Sequence, residues 1–410
     1  MMTISNKSDN AIFPTNLGPE YVGFDYIQWY VGNAKQAASY YITRFNFTLI
    51  AYRGPETGSP YLASYVVGNK AAVFILTSPV CGPSHPENKV LRDATAEDRA
   101  TLTAVHEHLT IHGDGIADVA FLVTGNIDEI WKRAIKHGAS AKVEPHVIEA
   151  ETGGHITTAT IGTYGDTVHS LINRDQYPSS APFLPGYRNM SAEDRDPIND
   201  ILPPIDFIEI DHCVGNQPWG GVNTAVRYYE ECLDFHRYWT VDDKSMCSEY
   251  SAMRSIVVAS PNEAIKMPLN EPAPGKKKSQ IEEFVDYYHG SGVQHIAFRT
   301  EDIVQAVTNL QKRGVQFLRV PAVYYADLRQ RLSQVSWTLD ADVDVLERLN
   351  VLVDFDERGY LLQIFAKHVG DRPTVFLEVI QRKGFDGFGA GNFKSLFEAF
   401  EREQALRGNL

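Results

Sequence analysis

Two histidines and a glutamate in the second half of this chain stand where apolar residues belong. His212 shares a strand face with Ile208, Ile210 and Val214; His295 sits in "GVQHIAF"; Glu378 shares a face with Phe376 and Ile380 in "TVFLEVIQR". An ionised carboxylate on such a face costs on the order of several kcal/mol unless a positive group meets it. Taken singly, each residue has a plain reading: a hydrogen-bonded core histidine, or a strand glutamate paired with Arg or Lys. Taken together, on three strands of one half, they form the two-histidine, one-carboxylate set that holds non-haem Fe(II) and leaves adjacent coordination positions open. A structural zinc site closes its fourth position instead, commonly with Cys, and alternation turns Cys213 to the face opposite His212.

The elements that must position these residues come from a repeat. "HGSGVQHIAF" (289–298) is nearly a second copy of "HGDGIADVAF" (112–121), with His295 where the first has Asp118. Aligning "VGN" at 31–33 on 214–216 places Trp29 opposite His212, and "TVFLEVIQR" has no obvious counterpart in the first half. Each half opens with a strand, a turn and a helix. Each later shows a β-rich run and then a helix, with Ile127, Trp131 and Ile135 or Ile303, Val307 and Leu310 at helical spacing before a Gly stop. Strand-like alternation closes both halves. A unit of strand, helix and several strands, used twice per half, predicts an α+β protein whose paired sheets curl around a concavity. The expected division is a tail at 1–20, a first domain at 21–176, a Pro-, Ser- and Asp-rich linker at 177–204 and a metal-bearing domain at 205–410.

Bulk properties narrow the partners. A net charge of −14 over 410 residues argues against nucleic acid and gives no attraction to anionic membranes. The basic run Lys276 to Lys278 reads as a solvated loop tip, and no apolar stretch is long enough to span a bilayer. Cys81, Cys213, Cys232 and Cys247 form no CxxC pair, so reduced thiols and a cytoplasmic setting are expected.

From Phe24 to Gln404 the chain resembles the 4-hydroxyphenylpyruvate dioxygenase family of the vicinal-oxygen-chelate superfamily. "IDHCVGN", "LNEP", "KSQIEEF", "GVQHIAFRT", "LLQIF", "DRPTVFLEVIQR" and "GFGAGNFKSLFEAFEREQ" carry the resemblance, in order and at matching spacing. It implies two tandem vicinal-oxygen-chelate domains, each an open β-barrel of paired βαβββ units, with a C-terminal gating helix at 392–407. It also implies an Fe(2+) enzyme taking 4-hydroxyphenylpyruvate and O2 to homogentisate and CO2 in tyrosine and phenylalanine catabolism, working as a homo-oligomer with a dimer favoured. His212, His295 and Glu378 fall at the iron-ligand positions. Gln280, Gln294 and Gln363 fall at catalytic positions, with Ser255 and Asn270 among the polar groups around substrate. Phe365, Phe376, Phe388 and Phe393 fall at the aromatic walls, with Asn392 beside them. Where the family commonly has Thr after "LQIF", this chain has Ala366.

The chemistry suits that cast. A 2-oxo acid chelates iron through its carboxylate and keto oxygens and leaves one position for O2, while the ring needs an apolar slot that fixes it and excludes water. Alternation puts Gln363 with Phe365 and Phe376 with Glu378, but turns Gln294 away from His295, which suggests that Gln294 supports the site rather than touching substrate. Asn392 is expected to N-cap the last helix, whose apolar stripe is Phe393, Leu396, Phe397 and Phe400, and the glycines of "GFDGFGAGN" allow a hinge. Three other readings compete: a 4-hydroxymandelate synthase hydroxylating the benzylic carbon, a ring-cleaving extradiol dioxygenase, and a ligand-binding protein without metal.

Overall fold

The architecture is that of a computed structural model, which describes residues 20–83, 89–151, 153–241 and 250–409. The first sheet contains β1 (Glu20–Tyr30), β2 (Thr48–Arg53), β3 (Leu62–Asn69), β4 (Ala72–Pro79), β5 (Gly115–Thr124), β6 (Ser140–Glu149), β7 (His155–Gly162), β8 (Val168–Asn173) and the short β9 (Arg188–Asn189). Its spatial order is β6, β7, β8, β5, β1, β4, β3, β2, β9. The second contains β10 (Glu209–Asn216), β11 (His236–Val241), β12 (Ala252–Ala259), β13 (Lys266–Ala273), β14 (Gly292–Arg299), β15 (Leu352–Phe355), β16 (Tyr360–Phe365) and β17 (Phe376–Lys383). Its order is β11, β12, β13, β10, β14, β17, β16, β15, the same plan without the short edge strand.

Helices complete the plan. In the first half α1 (Ala34–Phe45) follows β1, α2 (Ala96–His112) leads from β4 to β5, and α3 (Ile127–Lys136) follows β5. After the single turn α4 (Ile198–Ile201), α5 (Val222–Leu233) follows β10, α6 (Gln280–Tyr288) leads from β13 to β14, and α7 (Ile303–Lys312) follows β14. Each half is thus two βαβββ units whose first strands, β1 with β5 and β10 with β14, pair antiparallel at the centre. Gly138 and Gly314, just past α3 and α7, adopt positive φ (95° and 87°), the conformation a helix stop requires. α8 (Ala322–Leu332) and α9 (Val343–Leu349) are inserted before β15, and α10 (Phe393–Arg407) closes the chain.

Strand register corrects two sequence alignments. β8 lies beside β5 as β17 lies beside β14, so the first half does have a counterpart of "TVFLEVIQR". Tyr26 pairs with Ala120 as His212 pairs with Ala297, so Tyr26 rather than Trp29 is the equivalent of His212. The "VGN" alignment failed because the β-bulges fall at equivalent places in both central pairs, whereas residues 31–33 lie just past the end of β1 and residues 214–216 are the last residues of β10, so matching the letters slides the strands out of register. Trp29 instead packs on Tyr41 and Phe74 beneath α1.

The part of the first concavity equivalent to the metal triad is filled. Ser170, the register equivalent of Glu378, donates its backbone N–H to Asp118 Oδ1 at 2.9 Å, and the Tyr26 hydroxyl meets Asp118 Oδ2 at 3.4 Å. Phe183, Leu184 and Tyr187, from the segment expected to be a linker, pack on Tyr26, Val66, Ile75 and Ile172 inside that sheet. The next residues, Arg188–Asn189, add β9 to its edge.

Buried polar contacts join the halves. Arg313, 1% exposed at the end of α7, donates to Pro203 O (2.6 Å), Thr43 O (2.9 Å) and Asn199 Oδ1 (3.0 Å). His169 of β8 contacts Val119 O and the Tyr229 hydroxyl of α5, each at 2.8 Å. Cys213 and Cys232 are buried free thiols, and Cys247, like the expected tail up to residue 19, lies outside the described residues. Among the described residues no helix is long and apolar enough to cross a membrane.

Candidate metal centre

Three neighbouring strands carry the triad. β10, β14 and β17 lie side by side, with His212 opposite Ala297 and Ala297 opposite Glu378, so small Ala297 sits between the imidazole and the carboxylate. Glu378 Oε2 lies 3.3 Å from His212 Nε2 and 3.3 Å from His295 Nε2. Ligand atoms at right angles around a divalent ion with bonds of roughly 2.1–2.3 Å are about 3.0–3.3 Å apart, so the spacing fits.

The outer ring nitrogens fix the tautomers. His212 Nδ1–H donates to Asp211 at 2.7 Å, and His295 Nδ1–H donates to Gln294 Oε1 at 3.2 Å. Each Nε2 therefore faces an anionic oxygen, and in the neutral imidazole that is a contact between acceptors which a cation, metal or proton, resolves. Burial drives the Glu378 carboxyl upward, yet the two imidazoles outweigh it and hold the group below the ordinary carboxylate range. Burial likewise presses His212 down, but Asp211 and Glu378 raise it above the ordinary imidazole value; His295, which lacks a second carboxylate, stays below that value because burial prevails. The site is anionic and oriented for a metal.

Around the triad lies a cavity. It is lined by the expected Ser255, Asn270, Gln280, Gln294, Gln363, Phe365, Phe376, Phe388 and Phe393. The Phe376 ring stacks on His295 (4.7 Å, 20°), Phe365 stands edge-on to it (6.2 Å, 88°), and Phe388 stands edge-on to His212 (5.2 Å, 74°). Ser255 and Asn270 face each other across β12 and β13, and Gln280 opens α6 directly after the N-cap Ser279. Gln363 Oε1 and Asn270 Oδ1 are buried without hydrogen-bond partners, so the cavity offers two free acceptors beside the aromatic walls.

Asn392 is placed differently from expectation. Its side chain makes no cap hydrogen bond, because a 3₁₀ turn at Ala390–Asn392 precedes α10 and leaves Asn392 in the helical region of φ and ψ. The amide meets the Tyr324 hydroxyl at 2.7 Å, outside the cavity lining, so the residue anchors the start of α10. Gln294 both lines the cavity and holds His295, and its amide also donates to Gln280 Oε1 at 3.4 Å.

A lining residue that the sequence analysis did not single out is Arg382. Two residues past Ile380 on β17, it pairs with Asp211 through Nη2 (2.9 Å) and Nε (3.0 Å), lies over the Phe388 ring at 5.0 Å and donates to Gly387 O. One guanidinium thus ties the carboxylate behind His212 to the segment that walls the cavity. Trp239 of β11 and Met253 of β12 complete the wall beside Phe393. α10 is held down farther along by Glu403 with Lys367 (2.9 Å) and Arg407 with Glu283 (2.8 Å).

Comparison with known proteins agrees with this geometry. The chain is 66% identical over its whole length, and that of its relative, to a probable 4-hydroxyphenylpyruvate dioxygenase 2 of Aspergillus fumigatus. It is 47% identical to the 4-hydroxyphenylpyruvate dioxygenase of Dictyostelium discoideum, covering 95% of this chain and 100% of that one. The chain belongs to the 4-hydroxyphenylpyruvate dioxygenase family. Residues 209–364 of this member match the Glyoxalase/Bleomycin resistance protein/Dioxygenase superfamily model. The family fold also aligns with a solved triple mutant of 4-hydroxymandelate synthase from Streptomyces coelicolor, at a TM-score of 0.76 and 29% identity over 94% of this chain and 99% of that one. As a dioxygenase of this superfamily, the chain is an oxidoreductase with a metal-type triad in its second barrel.

Proposed function

We propose that this chain holds one Fe(2+) through His212 Nε2, His295 Nε2 and Glu378, and converts 4-hydroxyphenylpyruvate and O2 to homogentisate and CO2 in tyrosine and phenylalanine breakdown. The reaction balances without another reductant: the substrate's own carboxylate leaves as CO2, one atom of O2 enters the carboxylate formed at the former keto carbon and the other becomes the new ring hydroxyl, while the side chain, shortened to an acetate, migrates on the ring. Bound ferrous iron supplies chelation of the 2-oxo acid and activation of O2, coupling decarboxylation to hydroxylation.

The protein's share is orientation and exclusion of water. Phe365, Phe376, Phe388 and Phe393 form a slot for one flat ring. The unpartnered oxygens of Gln363 and Asn270 are acceptors, and the phenol O–H is the one strong donor that an ionised 4-hydroxyphenylpyruvate carries, so the phenol end is assigned to them. Ser255 and Gln280 border the same polar end. Asp211 and Gln294 keep both imidazoles in the tautomer that offers Nε2. Phe388, Phe393 and Leu396 cover the pocket from the C-terminal segment, the arrangement expected of a gate. Cytoplasmic residence and a homodimer are part of the same reading, with the first half as contact surface: its edge strand β6 exposes Val143 and Val147.

The observation that carries the reading is the buried triad, with both Nε2 atoms facing one carboxylate oxygen, opening onto a phenylalanine-walled cavity with spare amide acceptors. The likeness to 4-hydroxymandelate synthase makes benzylic hydroxylation the second reading. Incubation of the Fe(II)-loaded protein with 4-hydroxyphenylpyruvate and O2, followed by chromatography, separates the two. Homogentisate with one CO2 per turnover is expected; 4-hydroxymandelate refutes the assignment. A ring-cleaving enzyme releases no CO2, and a metal-free binder takes up as much iron with His295→Ala as without.

A further inference from the structure

A second constellation of ligand-type side chains lies away from the cavity, where the two halves meet. His108 and His112 stand one turn apart on the same face of α2, and Asp166 comes from the turn between β7 and β8. Asp166 Oδ2 lies 2.6 Å from His108 Nδ1 and 3.3 Å from His112 Nε2, and one ligand atom from each residue falls within 4.8 Å of the other two.

Its wiring repeats that of the first triad. His112 Nδ1–H donates to the backbone oxygen of Tyr288, the last residue of α6, and the Tyr288 ring stacks on His112 at 4.2 Å and 21°. That hydrogen bond leaves His112 Nε2 facing an anionic oxygen 3.3 Å away, as at His212 and His295, an ion pair when the imidazole is protonated and a contact between acceptors that a metal resolves when it is neutral. His108 is 3% exposed, and its Nε2 is buried without a partner. Hydrogen bonding within the protein therefore leaves one nitrogen of the buried His108 ring unsatisfied. The neighbouring cation, Arg372, is engaged by the carbonyls of Ile111 (2.6 Å) and Tyr287 (3.5 Å).

We propose that His108, His112 and Asp166 form a second divalent-cation site, suited to Zn2+, that fastens α2 and the β7–β8 turn to the end of α6. Two imidazoles and a carboxylate with one position left to solvent is a zinc-type donor set. Around a tetrahedral ion with bonds of about 2.0–2.1 Å, donors lie about 3.3–3.4 Å apart, which the His112–Asp166 pair already meets. The His108–Asp166 pair must widen by about 0.7 Å. Asp166 can supply that movement because its side chain is 39% exposed on a turn, and the same exposure admits the ion and a water. The second imidazole's outer nitrogen is held by a backbone carbonyl, as metal-bound histidines generally are. Because α6 begins at Gln280 in the cavity wall and ends at Tyr288 beside this cluster, the ion would brace the helix from its far end.

The test is metal counting on the full chain, stripped of metal and dialysed against Zn2+ alone. Wild type is expected to retain about two equivalents, His295→Ala about one, Asp166→Ala about one, and the double variant none. Zn2+ should also raise the Tm of His295→Ala and leave that of His295→Ala/Asp166→Ala unchanged. His112→Gln provides a second lesion, read the same way. Retention of the same number of equivalents with and without Asp166 and His112, or no Zn2+-dependent Tm shift in His295→Ala, overturns the proposal. Neither outcome bears on the product formed at the first site.

Discussion

Replacing Asp211 by Asn isolates what lies behind the metal centre. The carboxylate accepts from His212 Nδ1–H at 2.7 Å and from two Arg382 nitrogens at 2.9 and 3.0 Å, and Arg382 holds it well below the ordinary carboxylate range despite burial. Asn keeps the shape and an acceptor for Nδ1–H, but removes the charge. Loss of such an outer partner weakens metal binding by about 10- to 100-fold, or roughly 1.4–2.7 kcal/mol. A second cost falls on Arg382, whose side chain is 16% exposed and loses its counter-ion. Opposite charges about 3 Å apart interact by about 5 kcal/mol at an effective dielectric of 20, and breaking a buried pair by removing one partner costs roughly 3–5 kcal/mol of stability. The costs separate in a cycle with Arg382→Met: Asp211→Asn/Arg382→Met should recover most of the stability lost by Asp211→Asn and none of the iron affinity. Anaerobic Fe(II) titration reads one quantity and urea unfolding the other. If the iron Kd of Asp211→Asn stays within about twofold of wild type, the orienting role assigned to this carboxylate is wrong.

Burial lowers the His169 pKa to about 4, so the folded protein binds fewer protons there than the unfolded chain between pH 4 and 6.5. Its stabilising contribution is complete above pH 6.5 and is lost as pH falls; urea unfolding should show about 2 kcal/mol less stability at pH 5 than at pH 7, and His169→Gln should remove that component. Gly389 has φ +79°, and an added Cβ would lie 2.2 Å from Gln363 Oε1, so Gly389→Ala should cost about 1–2 kcal/mol and raise KM with iron affinity unchanged, as steady-state kinetics and iron titration would show. Arg313→Met leaves buried carbonyls of both halves without their donor and should lower stability by about 3–4 kcal/mol in denaturant, while the folded fraction keeps its kcat. Chelation of iron should lower Tm, and Fe(II) at 100 times its Kd should restore about 2.7 kcal/mol, an effect absent in Glu378→Ala.

The triad was legible because each member violates the period-two pattern of its own strand, a local signal that survives without knowledge of the partners. The paired units were legible for a related reason, since helix and strand periods recur in order. Register was not. The same three letters lie past the end of β1 but inside β10, so matching "VGN" to "VGN" chose Trp29, and β8 went unrecognised as the counterpart of β17. Arg382 was missed because its meaning depends on Asp211, 171 residues earlier and across the sheet. Asn392 looked like a cap because Asn before an apolar stripe usually is one; the 3₁₀ turn ahead of α10 and the Tyr324 hydroxyl, supplied by an inserted helix, redirected it.

The packing inside the first barrel limits what mutation can recover there. Converting Tyr26, Asp118 and Ser170 to histidine, histidine and glutamate would reproduce the ligand types at equivalent register, yet Phe183, Leu184 and Tyr187 already occupy the volume a ring-bearing acid would need. A transplanted triad would therefore bind at most a small ion, and opening that barrel to an aromatic guest would also require rerouting the chain that leads into its neighbour. The descent of the two barrels from one ancestor is still written in their hydrogen-bond ladders, but reversing the divergence would take a new path for the backbone.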